Sequence, residues 1–580
     1  MTIINKVNQA SDLKKLSINE LEKLAEEIRG LLLKKVSQTG GHVGPNLGVV
    51  ELTLAFHYVF DSPMDKILWD VSHQSYSHKI VTGRKEAWLD ETSYKSVTGY
   101  TAPEESPHDF FTVGHTSTSV SLAVGMAKAR DIQGESGNIV AVLGDGSLSG
   151  GLALEGLSNA AELDSNLIVV LNDNEMSIAE NHGGIYRNLA ELRKNNGQAA
   201  TNLFTAMGLN YQYVEEGNNV AEMITAFEMV KNSNKPIVLH VHTEKGHGYT
   251  PAVTNKERFH WQMPFDLETG DSKSPGSGES YDSVIIDVLT KKIEEQQPIV
   301  AITAAIPGLF GLKELQKQHP DHYIDVGIAE QHSITYAAGL AKAGAKPVIF
   351  HSSTFLQRAY DQLSHDLAIN DLPAVIIVKG GKISGGDPTH QGSFDIPYIT
   401  SIPNIIYLAP TSKEEVREML NWALEQNEHP VAIRIPERGF VSAPLAEGTF
   451  HPLEWAIEKQ GEKVAILATG GFLGLGEETA KKLQEHHVDA TLINPRSFTY
   501  FDSELLKQLQ EKHQVVVTLE DGSLDGGYGE KISRYYGSSD MKVLNFGAQK
   551  RFNHHQTMEE LYEEFHLLPE LIAEDILAVL

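Results

Sequence analysis

The sequence contains no cysteine among its 580 residues. Without thiols the chain has no disulfide, no cysteine-ligated zinc site and no cysteine nucleophile. It also lacks a run of 18 apolar residues, and its N-terminus has no basic segment followed by an apolar core. These absences predict a cytoplasmic protein with no membrane partner.

Positive charge is scarce as well. The formal net charge is −29, which argues against nucleic acid or anionic membrane as a partner because both favour clustered Lys and Arg. Hydrophobic residues make up 41% and charged residues 22% of the chain, as in ordinary globular proteins. A chain of 580 residues is too long for one hydrophobic core. We therefore expect about three domains.

The segment from Ile139 to Asn174 has the pattern of strand, helix and strand. Its two apolar runs, 139–143 and 167–171, are typical of strands buried in a parallel sheet. A right-handed crossover would place Asp145 and Asn174 side by side at the carboxyl ends of neighbouring strands. Oxygen ligands there, with the N-terminus of the following helix, predict a site for Mg²⁺ and a diphosphate. The alternative is an ordinary βαβ unit in which Gly-Asp-Gly is only a turn.

Glycine-rich or histidine-rich segments follow other predicted elements. His42 lies in a loop rich in Gly and Pro, and His73 follows a short predicted strand over 67–71. Residues 113–119 combine glycine, histidine and hydroxyl side chains before a predicted helix. Each segment also has a plain interpretation, as a loop histidine bonded to a carbonyl group or as a helix cap. Residues 180–202 are polar, and we expect them to be mobile.

The second half of the chain divides by composition. Residues 266–280 are typical of a linker, which predicts domains over 1–270, 280–441 and 442–580. Glu330 begins a predicted helix of small residues, where a carboxylate also simply complements the helix dipole. The third domain alternates strands and helices without a catalytic cluster, which favours dimerisation or scaffolding. The predicted fold class is α/β with doubly wound sheets.

Together these motifs resemble the transketolase superfamily of thiamine diphosphate enzymes, and within it the 1-deoxy-D-xylulose-5-phosphate synthase family. The resemblance covers nearly the whole chain and depends on long stretches: 40–48, 69–79, 144–146, 170–178, 328–332, 353–362 and 389–392. It implies three doubly wound domains of transketolase type. The first two bind the pyrophosphate and the pyrimidine of the cofactor, and the third is the C-terminal domain.

The resemblance also implies a role for each candidate residue. Asp145, Asn174 and the Met176 carbonyl would hold Mg²⁺. Glu330 would bond N1′ of the aminopyrimidine, and Phe355 would stack on its ring. The other cofactor-binding positions are His73, Gly114, His115, Thr116, Gly146, Ser147, Asn174 and Tyr249. The positions for substrate and proton transfer are His42, Arg358, Asp387 and His390.

The reaction implied by the resemblance is the decarboxylating condensation of pyruvate with glyceraldehyde 3-phosphate. The product would be 1-deoxy-D-xylulose 5-phosphate, which belongs to isoprenoid and thiamine biosynthesis. The resemblance further implies a homodimer with its active site between domains one and two. Two alternatives remain: two-carbon transfer of the transketolase type to another aldehyde, and an inactive thiamine-binding scaffold. The intact Glu330 argues against the scaffold.

Departures from the family pattern cluster where the acceptor phosphate is expected. Ser352 and Gly380 stand where the family usually has Tyr and Arg, and Glu437 is inserted beside the second phosphate arginine, Arg438. Lysine does not reproduce the bidentate geometry of arginine. Two lysines are the available partial substitutes: Lys379 and Lys382. Either these lysines bind the phosphate, or the acceptor is a different aldehyde.

Overall fold

The computed structural model describes residues 2–273, 278–445 and 450–580. The chain divides into two compact units, one formed by Met1–Ser277 with Gly327–Ala329, the other by Gly278–Val326 with Glu330–Leu580. In the first unit, the Ile328 N–H donates a hydrogen bond of 3.0 Å to Ser149 Oγ. The linker expected over 266–280 lies in part outside the described residues, at 274–277.

The first unit is built on a five-stranded parallel sheet of order β1-β2-β3-β5-β4. Gly144 pairs with Asn172, so Asp145 and Asn174 follow neighbouring parallel strands, as the sequence predicts. The strands are β1 (Lys66–Trp69), β2 (Ile139–Gly144), β3 (Ile168–Asp173), β4 (Asn210–Val214) and β5 (Ile237–His242).

Helices cover both faces of this sheet. Val140 and Val142 of β2 enter one hydrophobic cluster, while Ile139 and Ala141 enter another on the opposite face. This alternation explains why the whole strand is apolar. The longer helices are Ile18–Thr39, Val50–Val59, Ser119–Gln133, Gly151–Ala160, Gly184–Lys194 and Val220–Val230. The shorter ones are Gly44–Leu47, Tyr76–Lys79, Glu86–Leu89, Leu203–Ala206 and Thr250–Thr254.

The second unit begins with a six-stranded parallel sheet of order β10-β11-β9-β8-β6-β7. Its strands are β6 (Ile299–Thr303), β7 (Tyr323–Asp325), β8 (Lys346–Ser352), β9 (Val375–Lys379), β10 (Ile406–Leu408) and β11 (Val431–Arg434). The accompanying helices are Tyr281–Glu294, Leu312–Gln318, Glu330–Lys342, Ser353–Leu356, Tyr360–Gln362, Asp395–Thr400 and Lys413–Glu425.

The third sheet, also in the second unit, has the order β12-β14-β13-β15-β16 and is parallel except for its antiparallel edge strand β12. Its strands are β12 (Ala456–Lys459), β13 (Lys463–Ala468), β14 (Thr491–Asn494), β15 (His513–Ser523) and β16 (Lys542–Ala548). Its helices are Leu473–Glu485, Ser503–Lys512, Tyr528–Tyr536, Met558–Glu564 and Pro569–Val579. The three open sheets confirm the predicted α/β class.

One local expectation needs correction. The helix expected to open near Ser149 begins at Gly151, because Asp145–Ser149 forms a 3₁₀ turn. Residues 180–202 contain the helix Gly184–Lys194, which buries Leu189 and Leu192, and their expected mobility stays a prediction. Among the described residues, no helix combines the length and the apolar character needed to cross a membrane.

Candidate active site

The carboxyl ends of β2 and β3 bring together acidic and amide side chains. Asp145 and Asn174 are buried, and Asn181 Nδ2 donates to Asp145 Oδ2 at 2.7 Å. Glu175 has a φ of 69°, in the left-handed region, so the chain turns sharply between Asn174 and Met176. The three predicted metal ligands therefore lie on one strand end and one tight turn. Asn181 was not predicted.

Asp173 is an acidic neighbour of Asp145 that the sequence analysis missed. His240 Nε2 lies 2.8 Å from Asp173 Oδ2, and Arg193 pairs with the same carboxylate. Burial would raise the pKa of Asp173, but His240 and Arg193 lower it to about 2. Burial, with the Asp173 carboxylate, raises the pKa of Asp145 well above its usual range. A bound divalent cation would offset this cost and favour the ionised Asp145.

The donor set fits a magnesium diphosphate group. Asn174 Oδ1 is buried and has no hydrogen-bond partner among the described residues. A bound metal ion would satisfy this buried oxygen. Together with Asp145, Asn174 Oδ1 supplies the oxygen donors that Mg²⁺ prefers. Within the described ranges no group of three or more His, Cys, Asp or Glu could hold a metal. Phosphate oxygens of a bound diphosphate would be further ligands of the metal.

Gly146 and Ser147 lie in a segment that is closely packed. A Cβ on Gly146 would be 2.6 Å from the Cβ of Ser177, so only glycine fits there. The hydroxyl of Tyr186 donates to the carbonyls of Asp145 at 3.2 Å and Gly146 at 3.3 Å. The helix that carries Tyr186 thus supports the backbone of the expected diphosphate site.

Asp70 fixes the loop that carries three predicted cofactor residues, Gly114, His115 and Thr116. It is 1% exposed, and its carboxylate accepts the N–H groups of Ser117 at 2.8 Å and Ser119 at 2.9 Å. Ser117 Oγ in turn donates to the Ser147 carbonyl at 2.8 Å. This chain of contacts holds the loop against the segment after β2. The sequence signal for Asp70 was a carboxylate at the carboxyl end of a strand.

Three histidine rings form a cluster in the first unit. The ring centroids of His42 and His73 are 5.0 Å apart, and His260 lies 5.6 Å from His42 and 5.1 Å from His73. The buried Asn46 side chain donates to the carbonyls of His42 at 2.9 Å and His73 at 2.8 Å. One amide therefore positions two predicted site residues that are distant in sequence.

Lys245 and His260 are further members of this cluster that were not predicted. Lys245 Nζ donates to the Ser177 carbonyl at 2.5 Å and lies 3.1 Å from His260 Nδ1. Burial lowers the pKa of Lys245 to about 7. Burial and then the charge of Lys245 lower the pKa of His260 well below its usual value. Strongly shifted pKa values of this kind are typical of functional sites. The one sequence signal was the glycine-rich segment 244–249 that contains Lys245.

Tyr249 ends the segment 244–249 and contacts residues that follow it in the chain. Its hydroxyl donates to the Leu267 carbonyl at 3.0 Å, and its ring contacts Phe259 at 5.7 Å and Phe265 at 6.2 Å between centroids. None of these described contacts involves another predicted site residue. Tyr249 thus anchors the segment that follows Lys245.

In the second unit, Glu330 begins a helix and is 6% exposed. Arg358 Nη1 lies 3.4 Å from Glu330 Oε2, so two predicted residues form an ion pair. Ser333 Oγ donates to the Glu330 carbonyl at 2.6 Å and lies 2.7 Å from His351 Nε2. Burial lowers the pKa of His351 to about 4, so this histidine is neutral at pH 7. These contacts fix the first turn of the helix.

A second group of predicted residues surrounds His390. Its Nδ1 lies 2.7 Å from Asp387 Oδ2, and its ring meets Phe355 edge to face at 5.6 Å. The Thr389 hydroxyl donates to the same Asp387 oxygen at 2.7 Å. Burial opposes ionisation, but hydrogen bonds from His390 and Thr389 lower the pKa of Asp387. The carboxylate therefore orients the imidazole ring through Nδ1.

The lysines expected to substitute for arginine are paired with acids. Lys379 Nζ donates to Asp282 Oδ2 at 2.6 Å. Lys382 Nζ lies 3.2 Å from Glu437 Oε2, while Glu437 Oε1 accepts the Gly380 N–H at 2.7 Å. The inserted Glu437 thus holds both a lysine and the backbone of the loop. A phosphate that used Lys382 would have to replace this carboxylate.

The remaining departures from the family pattern concern Ser352, Gly380 and the surroundings of Arg438. Gly380 has a φ of 75°, and a Cβ there would lie 3.4 Å from Ser352 Oγ. The positive φ would strain any residue with a side chain at position 380, whereas the 3.4 Å distance to Ser352 is an ordinary contact. The Arg438 guanidinium lies 5.2 Å from the ring centroids of both Phe472 and Tyr562.

Comparisons with known proteins agree with this arrangement. Residues 279–440 match the family model of the transketolase pyrimidine binding domain, and residues 453–572 that of the transketolase C-terminal domain. A solved transketolase mutant from Pichia stipitis matches with a TM-score of 0.44 and 18% identity, over 97% of this chain and 98% of that one. The two family models, together with the relatives described next, show that the chain is a transferase of the transketolase class.

The family within this class follows from the first unit and from the relatives. Residues 4–201 match the family model of 1-deoxy-D-xylulose-5-phosphate synthase. The synthase of Alkaliphilus oremlandii is 39% identical over 98% of this chain and 98% of its own length. Synthase 1 of Geobacter sulfurreducens is 40% identical over 95% and 93% respectively. The chain belongs to the 1-deoxy-D-xylulose-5-phosphate synthase family, whose members use thiamine diphosphate with a divalent metal ion.

Proposed function

We propose that this chain catalyses the decarboxylating condensation of pyruvate with glyceraldehyde 3-phosphate to 1-deoxy-D-xylulose 5-phosphate. The observation that carries the proposal is the buried, unpartnered Asn174 Oδ1 beside Asp145 within the described chain, in a member of this synthase family. This oxygen and the Asp145 carboxylate are donors of the kind that the magnesium ion of the cofactor requires.

In this proposal the residues of the first unit hold one part of the cofactor. Asp145, Asn174 and the Met176 carbonyl would bind Mg²⁺. The diphosphate and the neighbouring ring would contact His73, Gly114, His115, Thr116, Gly146, Ser147 and Tyr249. Geometry adds His260 and Lys245, which lie against the ring cluster of His42 and His73.

The residues of the second unit hold the other part. Glu330 would keep a proton on N1′ of the aminopyrimidine, and Phe355 would stack on that ring. When bound, thiamine diphosphate supplies a carbon nucleophile and an electron sink for the loss of CO₂. His390, oriented by Asp387, would hold or move a proton at the carbonyl oxygen of the acceptor. Arg358, beside Glu330, offers a cation to a substrate carboxylate.

A second candidate acceptor is an unphosphorylated aldehyde. Glu437 favours it, since this carboxylate lies 3.2 Å from Lys382 and would repel a phosphate. A third candidate reaction is the transfer of a two-carbon unit from a ketose phosphate, which would replace pyruvate as the donor.

The test is a product assay on the protein loaded with Mg²⁺ and thiamine diphosphate. Pyruvate is supplied with glyceraldehyde 3-phosphate or with glyceraldehyde, and the products are separated by mass spectrometry. The proposal predicts 1-deoxy-D-xylulose 5-phosphate as the main product. A product formed with glyceraldehyde but not with glyceraldehyde 3-phosphate would support the unphosphorylated acceptor. Cofactor binding without turnover of any donor would identify a scaffold.

The proposal includes the organisation of the molecule. We propose domains over 1–270, 280–441 and 442–580, a homodimer and a cytoplasmic location. Size-exclusion chromatography with light scattering tests the dimer, and a monomeric active protein would contradict it.

A further inference from the structure

The loop between β9 and the helix Asp395–Thr400 carries the Asp387–His390 pair. Its own regular structure is a single 3₁₀ turn, Pro388–His390. Such a loop gains little rigidity from its own backbone hydrogen bonds. The position of the pair must therefore come from what packs against residues 380–393.

The first half of this loop is bound by the segment after β16. Asn553 Nδ2 donates to the Ser384 carbonyl at 3.0 Å. The Gln556 N–H donates to the Gly385 carbonyl at 3.0 Å. A Cβ on Gly385 would lie 2.2 Å from the Gln556 carbonyl oxygen, so the two backbones touch and only glycine fits.

The second half is bound by the same segment through a reciprocal pair. Gln391 Nε2 donates to the Asn553 carbonyl at 2.6 Å, and the Asn553 N–H donates to Gln391 Oε1 at 3.2 Å. Gln391 is 4% exposed and Asn553 3% exposed. Gln391 directly follows His390, so this buried pair acts on the residue next to the imidazole.

The end of β15 supports the base of the loop. Asp521 Oδ1 accepts the Ile383 N–H at 2.9 Å, and its carbonyl accepts Arg434 Nη2 at 2.7 Å. Arg434 in turn holds Asp395 with two hydrogen bonds of 2.6 and 3.0 Å. The Ser523 N–H donates to the Ser393 carbonyl at 2.8 Å. Both ends of the loop are therefore tied to the third sheet.

We propose that Asn553 and Gln391 are positioning residues, through which the third sheet sets the placement of the Asp387–His390 pair. This inference rests on the proposed function of that pair. It gives the C-terminal region a part in turnover, although that region has no predicted catalytic group. Placement of catalytic groups within about 0.5 Å is needed for efficient chemistry, and buried hydrogen bonds supply it.

The main variant is Gln391→Leu, which removes both side-chain hydrogen bonds to the Asn553 backbone. Asn553→Ala removes the bond to the Ser384 carbonyl and serves as the second variant. The matched control is Asn545→Ala, because Asn545 bonds Thr518 and Ser533 at 2.8 Å each within the third sheet region. The control perturbs the same domain without contacting the loop in any described hydrogen bond.

Two readouts separate positioning from plain stability. Hydrogen–deuterium exchange on the chain should increase over residues 383–393 in Gln391→Leu and Asn553→Ala. In Asn545→Ala it should increase only around Asn545. For the loaded enzyme, kcat should fall at least tenfold in Gln391→Leu, since small misplacements cost about that much or more. The apparent affinity for thiamine diphosphate should stay unchanged, and the pH profile of kcat should shift.

The outcomes distinguish this inference from the proposed function. His390→Ala serves as the reference variant: if it turns over normally, the proposed role of His390 is wrong. If His390→Ala is impaired while Gln391→Leu keeps kcat and its exchange pattern, the positioning role alone is wrong. Equal effects in Asn545→Ala and Gln391→Leu on both readouts would likewise overturn it, because the effect would then be general destabilisation.

Discussion

Asp387 and His390 form a hydrogen-bonded pair in which Oδ2 and Nδ1 are 2.7 Å apart. A carboxylate on Nδ1 fixes the ring tautomer and stabilises the protonated imidazole. The same relationship occurs at the surface between Asp575 and His566, at 2.8 Å. The molecule therefore supplies its own matched control for the role of the pair.

Asp387→Asn is predicted to lower kcat about 100-fold, within the range of a general acid–base group. The reason is that the neutral amide no longer orients or stabilises the imidazolium. Steady-state kinetics over pH 6 to 9 measures it. Asp575→Asn, which breaks the equivalent surface pair, should leave kcat unchanged. Similar kinetics in both variants would exclude the catalytic role of Asp387.

Glu437→Gln is predicted to lower the KM for a phosphorylated acceptor about fivefold, the size of a partly exposed ion pair. The amide keeps an acceptor for the Gly380 N–H but releases the charge of Lys382. The KM for pyruvate is the internal control. Glu279→Gln removes a similar partner from Lys413, at 2.6 Å, and should change neither constant. An unchanged acceptor KM in Glu437→Gln would mean that Lys382 takes no part in phosphate binding.

Asp70→Asn is predicted to weaken thiamine diphosphate binding about tenfold and to destabilise the protein by about 1–3 kcal/mol. The two carboxylate oxygens of Asp70 accept the N–H groups of Ser117 and Ser119. The variant has an NH₂ group in place of one oxygen, so one buried N–H donor loses its acceptor. Calorimetry and thermal melting measure the two effects. Asp90→Asn, which affects an exposed cap on Thr92, is the control for the first unit. Normal cofactor affinity in Asp70→Asn would separate Asp70 from the site.

The buried Glu520 makes the free energy of unfolding depend on pH. Burial raises its pKa to about 7, although the N–H groups of Tyr528 and Gly529 oppose this. The pKa of Glu520 is higher in the folded state than in the unfolded state, so its protonation stabilises the fold. This contribution to the free energy of unfolding is fully present below about pH 4.5 and is lost as pH rises through 7. The shift corresponds to about 3 kcal/mol.

Glu520→Gln should therefore remove part of the stability loss between pH 5 and pH 8, measured by thermal melting. The amide also weakens one hydrogen bond, which lowers stability equally at every pH. The informative quantity is the slope against pH. Identical slopes for the wild type and the variant would show that Glu520 stays ionised.

The sequence predicts well those features that depend on neighbouring residues. The apolar runs of β2 and β3 and the helix that begins at Glu330 are read from local patterns, and the structure has them. The 3₁₀ turn Asp145–Ser149 was missed because small residues there suit a helix equally well.

Features that depend on distant residues could not be predicted in this way. His240 and Arg193 determine the charge of Asp173, yet they lie 67 and 20 residues away. The pairing of Gln391 with Asn553 spans 162 residues. No local sequence pattern indicates such partners, so the residues that support the site are visible only in the folded structure.

The most direct test of the account is calorimetric titration of thiamine diphosphate with and without Mg²⁺, on the wild type and on Asp145→Ala and Glu330→Ala. We predict binding to the wild type that requires Mg²⁺ and is lost in Asp145→Ala. Glu330→Ala should still bind the cofactor with Mg²⁺ but fail to turn over pyruvate. Binding that ignores Mg²⁺, or that survives in Asp145→Ala unchanged, would contradict the account.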